Sequence, residues 1–290
     1  MQVPQAKQGL RFENLLYATD FQGDSESALP YVFSVAKAYQ SKVYVVHVVD
    51  VSPFSNPSPT GAMRAVEAQA IREAKQAALE LGPALAPVPS EVLIRKGDIW
   101  KEISHVIEEK NIDLIVVGTR GRSGIHKLVL GSVAERIFRR APCPVLTVGP
   151  GVRGETDPFS QLHSILVPTD FTSESRAAVS YASALAQAHQ SRVYLLHVTH
   201  DANTRVASVK EALGKLIPWD IDLPFSTKTF VEAGVPSEKI LDLAAELAVD
   251  LIVLGVKPSA IFKGTSTHQN MATASKVVRG AGCPVITVRS

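Results

Sequence analysis

Gly118, Gly121, Gly131 and Ser132 are the residues of this 290-residue chain whose types and spacing could do chemistry together. Gly118 ends a continuous apolar run, Leu114 to Val117, rich in β-branched side chains, which is how a strand buried on both faces reads. Gly131-Ser132 opens a helical pattern that runs from Val133 to Arg140 and is ended by Pro142 and Pro144. A strand that breaks into glycines and restarts as a helix points backbone N–H groups at an anion. Gly118 and Gly121 admit close approach of a ligand and tolerate φ > 0. The free N–H groups and positive dipole end at the helix start favour a phosphate. Ser132 can cap that helix or give its hydroxyl to a phosphate oxygen. Arg120, Arg122, His126 and Lys127 add positive charge to the loop. Spacing alone leaves two readings open, a phosphate loop or a long surface loop with turn glycines and a serine N-cap, because short glycine motifs recur by chance.

The elements that must position this stretch alternate. Strands are expected near Asn14–Ala18, Lys42–Val48 and Glu91–Arg95, then at Leu114–Val117 and Cys143–Val148. Helices fall between them: one capped by Asp24 or Ser25 and running to Tyr39, an alanine-rich one from Met63 to Leu81, and one from Asp98 to Lys110. Alternating elements with buried strands give an α/β class, a parallel sheet covered on both faces. Ligands of such sheets sit outside the carboxyl ends of the strands. Asp20 follows the first strand and Gly118 ends the fourth, so neighbouring strands would bring them to one crevice.

The chain repeats itself. Leu15-Leu16-Tyr17-Ala18-Thr19-Asp20-Phe21 matches Ile165-Leu166-Val167-Pro168-Thr169-Asp170-Phe171, and Val43-Tyr44-Val45-Val46-His47-Val48 matches Val193-Tyr194-Leu195-Leu196-His197-Val198, both at an offset of 150. Asp113–Gly118 matches Asp250–Gly255 at 137, and Cys143-Pro144-Val145 matches Cys283-Pro284-Val285 at 140. Two domains follow, 1–150 and 151–290, joined by the proline- and glycine-rich segment 150–160.

Composition narrows the function classes. The chain is 46% hydrophobic and 20% charged, an ordinary globular balance. A net charge of +2 gives no footprint for non-specific nucleic-acid binding. No apolar run reaches membrane-spanning length, and the first residues lack a signal-peptide core, so a cytoplasmic location is expected. Cys143 and Cys283 occupy equivalent places before a strand, which argues against a disulfide between them.

With these motifs in order, the sequence resembles a tandem universal stress protein. The opening motif of that family appears as Ala18-Thr19-Asp20-Phe21 and as Pro168-Thr169-Asp170-Phe171. The pair that ends its second strand appears as His47-Val48 and His197-Val198. The ATP pattern G-x2-G-x9-G-[ST] is matched in full by Gly118, Gly121, Gly131 and Ser132. The resemblance implies two flavodoxin-like (Rossmann-like) domains, each a five-stranded parallel sheet in the order 3-2-1-4-5. It implies ATP with Mg²⁺ as ligand, Asp20 and the backbone of Val48 on adenine or ribose, and Gly118–Gly121 and Gly131–Ala134 around ribose and phosphates. The candidate binding set is therefore Ala18, Thr19, Asp20, Val48, Val117, Gly118, Arg120, Gly121, Gly131, Ser132, Val133 and Ala134. It further implies that short apolar fifth strands, Val145–Val148 and Val285–Val288, pair the two halves as an intramolecular pseudo-dimer, with a homodimer also open. Ala18 departs from the family's usual proline.

The second copy departs where phosphate would sit. Pro258 stands at the place of Gly121, and Met271-Ala272 at that of Gly131-Ser132. Proline removes an N–H, and methionine puts a long side chain at the expected helix start. ATP is therefore expected in the first copy alone.

Other patterns are weaker. No P-loop and no dinucleotide fingerprint is present. Gly121-Arg122-Ser123-Gly124 is one residue short of a hydrolase nucleophile elbow. His47 and His197 read as structural hydrogen-bonding groups, and His197, His200 and Asp201 as strand-end polar residues in preference to metal ligands. Arg136, Arg139 and Arg140 suit a helix C-terminus, while Arg64, Arg72 and Lys75 suit a solvated face whose reverse packs on the sheet. The function expected is nucleotide-dependent regulation in stress response, set against a slow ATP hydrolase and against an interaction scaffold with a vestigial site. Nothing in the sequence supplies an evident general base.

Overall fold

The structure, a computed structural model, describes residues 10–21, 27–50, 61–119, 130–149, 152, 159–199, 205–257 and 265–290, with backbone alone at 62–63 and 265–271. The chain divides into two compact units, one of Phe12–Asp157 and one that takes in Pro158–Ser290 together with Met1–Arg11.

The first unit contains β1 (Asn14–Ala18), α1 (Leu29–Tyr39), β2 (Lys42–Asp50), α2 (Gly61–Leu85), β3 (Ser90–Gly97), α3 (Ile99–Glu109), β4 (Leu114–Gly118), α4 (Ser132–Arg140) and β5 (Val145–Val148). Its strands pair in parallel in the order β3-β2-β1-β4-β5. Leu15, Leu16 and Tyr17 on β1, like Leu114, Ile115 and Val116 on β4, are all essentially inaccessible. Successive strand residues point to opposite faces, so unbroken burial means that both faces of the sheet are covered.

The second unit repeats the plan with β6 (Ser164–Pro168), α5 (Ser173–His189), β7 (Arg192–Thr199), α6 (Val206–Gly214), β8 (Lys228–Ala233), α7 (Pro236–Glu246), β9 (Leu251–Gly255), α8 (Thr265–Gly280) and β10 (Val285–Val288). The order is β8-β7-β6-β9-β10, again parallel. The expected doubled flavodoxin-like α/β architecture is what the chain adopts.

The repeat extends to individual bonds. Asp113 Oδ2 accepts from the N–H groups of Glu13 and Asn14 at 2.8 and 2.9 Å, tying the start of β1 to β4. Asp250 Oδ2 accepts from His163 and Ser164 at 2.9 and 2.8 Å in the same way. Ser41 and Ser191 donate their hydroxyls to the carbonyls of Phe12 and Leu162. Among the described residues no helix is long and apolar enough to cross a membrane. Cys143 and Cys283 are both free thiols.

Several boundaries differ from the sequence expectation. Strand β2 continues to Asp50, because it pairs with β3 along its length as far as Asp50↔Gly97. Helix α2 runs four residues past Leu81, through Gly82 and Pro83, with the proline in its last turn. Helix α1 follows Ala28, which supplies no side-chain cap, and has Pro30 in its first turn. Proline suits that position because the first N–H groups of a helix have no intrahelical acceptor. Asp24 and Ser25, the expected caps, lie outside the described residues.

Candidate functional site

The strand ends of the first unit enclose a cavity of about 600 Å³, within the ~300–1,000 Å³ range of small-molecule sites. Of the twelve residues singled out by the motifs, ten line it: Ala18, Thr19, Asp20, Val48, Val117, Gly118, Gly131, Ser132, Val133 and Ala134. Arg120 and Gly121, with Arg122, His126 and Lys127, lie outside the described residues.

The strand order explains this convergence. β1 lies between β2 and β4, so Asp20, Val48 and Gly118 reach one crevice from three adjacent strands. The chain leaves the sheet after Thr119 and returns at Leu130-Gly131. Gly131 N–H donates to the Thr119 carbonyl at 2.8 Å and closes the excursion, bringing the third motif glycine back beside the first. Gly131 is the N-cap of α4, with φ −57° and ψ 149°, and its carbonyl accepts from Glu135 N–H at 2.8 Å. Ser132 is therefore the first helical residue, not the cap that the sequence allowed. The Gly131 amide is used inside the protein, and the amides of Ser132, Val133 and Ala134 are the ones that helix geometry leaves without an intrahelical acceptor. Glu135 in the same turn pairs with Arg139 at 3.0 Å, which draws its carboxylate away along the helix.

The turn after β1 has its own architecture. Phe21 adopts φ 57°, a left-handed conformation unusual for a bulky residue. Its N–H donates to Thr19 Oγ1 at 2.9 Å, and its ring stacks on His47 at a centroid distance of 4.9 Å. His47 Nδ1 lies 3.0 Å from the Thr19 carbonyl, so the proton on Nδ1 is donated there. Phe171, Thr169 and His197 repeat this turn, with φ 63° at Phe171 and 2.9 Å from His197 Nδ1 to Thr169 O, although the Phe171 ring is tilted against His197 instead of stacked. The histidines are structural hydrogen-bond donors in both units, as expected, and His47 is also part of the cavity wall. His200 and Asp201 lie outside the described residues.

The cavity also has walls that the motifs do not predict. Helix α2 contributes Val66, Ala70, Glu73, Ala74 and Ala77, and α3 contributes Ile99 and Ile103. The face of α2 expected to pack on the sheet packs on β2 and β3 and also roofs the cavity. Only Ala74 and Leu85 of its described side chains are buried, while Arg64, Arg72 and Lys75 are exposed as expected. A Lys96–Glu67 ion pair links α2 to β3. The signal was present in the sequence, as small or apolar residues at positions 66, 70, 74 and 77, but that periodicity is the same for a helix packed on a sheet and one roofing a cavity. Asp98 caps α3 by accepting from Lys101 N–H at 2.9 Å and sits 3.6 Å from Arg136 on α4.

The second unit is built differently at the corresponding places. Helix α8 begins at Thr265, so Ala272, the counterpart of Ser132, lies about two turns inside it. Amides there bond to carbonyls four residues back and cannot serve an anion. The sequence expectation set a helix start at Met271-Ala272, with Pro258 and Met271 opposing a phosphate; the helix starts earlier, at Thr265. Pro258 lies outside the described residues. Gly255, the retained first glycine, has a packing role: a Cβ on it would lie 2.2 Å from the Glu174 carbonyl oxygen and 2.5 Å from Ser175 N. Asp170 accepts from the hydroxyl and N–H of Thr172, at 2.5 and 3.1 Å. Burial pushes the Asp170 carboxyl up, but these bonds and the Ser175 hydroxyl outweigh burial and hold it below the ordinary range.

Comparison with known proteins agrees with the fold. The profile of the universal stress protein family matches residues 11–149 and again residues 161–289. The chain is 34% identical over 144 residues to the universal stress protein MJ0531 of Methanocaldococcus jannaschii, covering 47% of this chain and 82% of that one. It is 30% identical over 151 residues to the universal stress protein YxiE of Bacillus subtilis, covering 47% and 99%. A crystal structure of a universal stress protein from Archaeoglobus fulgidus has the same fold, with a TM-score of 0.69 at 21% identity over 95% of this chain and 98% of that one. The chain therefore belongs to the universal stress protein family and carries two copies of its domain.

Proposed function

We propose that the chain is a nucleotide-dependent regulatory module of stress response that holds one ATP in its first domain, residues 1–150, while the second, residues 151–290, is a structural partner. The observation that carries this reading is one cavity lined by Asp20 from the end of β1, Val48 from β2, Gly118 from β4 and the start of α4. A phosphate placed against Ser132, Val133 and Ala134 meets N–H groups and the positive end of a helix dipole. Asp20, on the middle strand of the three, supplies an acceptor for nucleoside hydroxyl or amine groups, and the Val48 backbone lies one strand further along. Gly118 and Gly131 keep side chains out of the space between.

Among the described residues no group of three His, Cys, Asp or Glu could hold a metal by itself. The residues fit a magnesium ion that arrives on the phosphates and keeps most of its waters, which is the ordinary mode for nucleotide-bound Mg²⁺. It would neutralise phosphate charge, and the protein's part is to hold the phosphates at the helix start and the nucleoside at the strand ends. The short apolar outer strands β5 and β10 suit the second domain to a partner role within the chain, and suit a homodimer between chains.

Mass spectrometry of nucleotide in protein purified without added ligand, followed by isothermal titration with ATP and Mg²⁺, tests the reading. The expected result is adenine nucleotide at one site per chain. Failure of ATP to bind would leave an interaction scaffold. Steady phosphate release from bound ATP would make the chain a hydrolase.

A further inference from the structure

We infer that the turn at Trp219 in the second domain is a docking point for an arginine-bearing segment of another protein. Trp219 is 97% exposed, the most exposed of the large apolar side chains among the described residues. An indole left in water keeps a large apolar area unburied, and tryptophan is among the residues that carry most of the energy where proteins meet.

The segment that presents it has no counterpart in the first domain. There residues 86–89 lead from α2 to β3, whereas residues 215–227 lead from the shorter α6 to β8. The segment is anchored on both sides of the turn. Leu213 in the last turn of α6 is fully buried, and Leu216 N–H donates to its carbonyl at 3.0 Å. Ile221 N–H donates to the Pro218 carbonyl at 3.2 Å and closes the turn around Trp219 and Asp220. Gln187 on α5 donates to the Asp222 carbonyl at 3.4 Å, and the Arg192 guanidinium lies 5.3 Å from the centre of the Phe225 ring. Pro218 and Pro224 restrict the backbone on either side. A tryptophan held on an anchored turn loses little freedom when a partner covers it.

Charge decides what covers it. Asp220 and Asp222 are exposed, and neither has an ion-pair partner among the described residues. Lys215, the nearest cation along the chain, is taken by Glu211 at 2.6 Å. Two carboxylates next to Trp219 in the chain repel a nucleic-acid backbone or an anionic lipid surface. A purely apolar partner would strip water from them and return no hydrogen bond. A guanidinium meets both needs, because it stacks flat on an indole and gives a carboxylate two parallel hydrogen bonds. No residue of the glycine motif takes part, so this surface stands whether or not the first domain holds ATP.

Selection from a random peptide display library on the full chain, with Trp219→Ala for counter-selection, tests the inference. The expected peptides are rich in arginine and lose about tenfold or more in affinity for Trp219→Ala, the scale of a hot-spot side chain. Asp220→Asn with Asp222→Asn is expected to weaken them at least about threefold and to remove most of their salt dependence. Trp219 at 97% exposure packs against little, so Trp219→Ala is expected to melt with wild type. A selection that yields no Trp219-dependent peptide, or yields only ones without cationic residues, overturns the inference. So does full binding by the double asparagine variant. Binding of wild type to vesicles of phosphatidylserine and phosphatidylcholine, or its self-association in sedimentation, overturns it too if Trp219→Ala abolishes that behaviour, since the tryptophan would then serve a membrane or a second copy of the chain.

Discussion

Thr172 donates its hydroxyl to Asp170 Oδ1 at 2.5 Å, and the same hydroxyl oxygen accepts from Ser175 N–H at 3.3 Å at the start of α5. The second strand-end aspartate is thereby built into a helix cap. Its counterpart in the first domain, Asp20, is followed by Gln22 where Asp170 is followed by Thr172, and it lines the cavity. Asp20→Ala is expected to weaken ATP binding by about 1–3 kcal/mol, the cost of an unmade hydrogen bond to a charged group. Asp170→Ala is expected to leave ATP affinity and stoichiometry unchanged. Isothermal titration of the two variants checks this, and loss of binding in Asp170→Ala alone would place the ligand in the wrong domain.

The same cap makes a pH prediction. The Asp170 carboxyl is held below its ordinary range in the folded chain, and an unfolded aspartate titrates at about 3.9. A carboxyl lowered on folding contributes stability that is fully present above the unfolded value and is lost as pH falls through the folded one. The difference in melting temperature between wild type and Asp170→Asn should thus be constant above about pH 5 and shrink below about pH 4. A difference that instead grew on acidification would reverse the assigned sign.

Cys283 lies next to the Asp250 anchor, and burial, then the Asp250 carboxylate, pushes its thiol up to about 12. The thiolate is the reactive form, so native protein at pH 8 should alkylate at Cys283 at least about a hundredfold more slowly than a free thiol, and at a normal rate in denaturant. Peptide mapping distinguishes it from Cys143. Rapid labelling of native Cys283 would show that the pocket around it opens.

The fold was readable because its strands are continuous β-branched runs, and such runs repeated at fixed offsets leave few alternatives. The glycine pattern found the strand-end cavity for a related reason: glycines there mark where backbone must come close. The sequence was opaque where one pattern serves two structures. Ala70, Ala74 and Ala77 read as a sheet-packing stripe, and on a helix that does pack on β2 and β3 they also roof a cavity. Gly255 reads as the repeat counterpart of Gly118 and is a packing contact. The polar residues Thr265 to Asn270 carry no apolar periodicity to announce a helix, so the start of α8 at Thr265 is not legible in the sequence. Ser132 was read as a possible cap because serine is a frequent one, but Gly131, held by the Thr119 carbonyl, takes that place.

Two glycines at related places should respond oppositely to substitution. Gly131 has φ −57° and ψ 149°, a conformation open to any L-residue, so a side chain there meets no backbone penalty. It lines the cavity, and a side chain would occupy the space beside the α4 amides. Gly131→Met is expected to abolish ATP binding while the melting temperature stays within a few degrees of wild type. Gly255 is the reverse case. A Cβ there would lie 2.3 Å from the Glu174 carbonyl carbon, and backbone cannot rotate aside as a side chain can, so β9 or the start of α5 must shift. Gly255→Ala is expected to cost about 1–3 kcal/mol of stability, as overpacking does, and to leave ATP affinity as it was. Thermal melts and titrations of both variants form a crossed test. Lost binding in Gly255→Ala with unchanged stability would mean that the second domain holds a ligand after all, and tight ATP binding by Gly131→Met would mean that the phosphates do not lie at the start of α4.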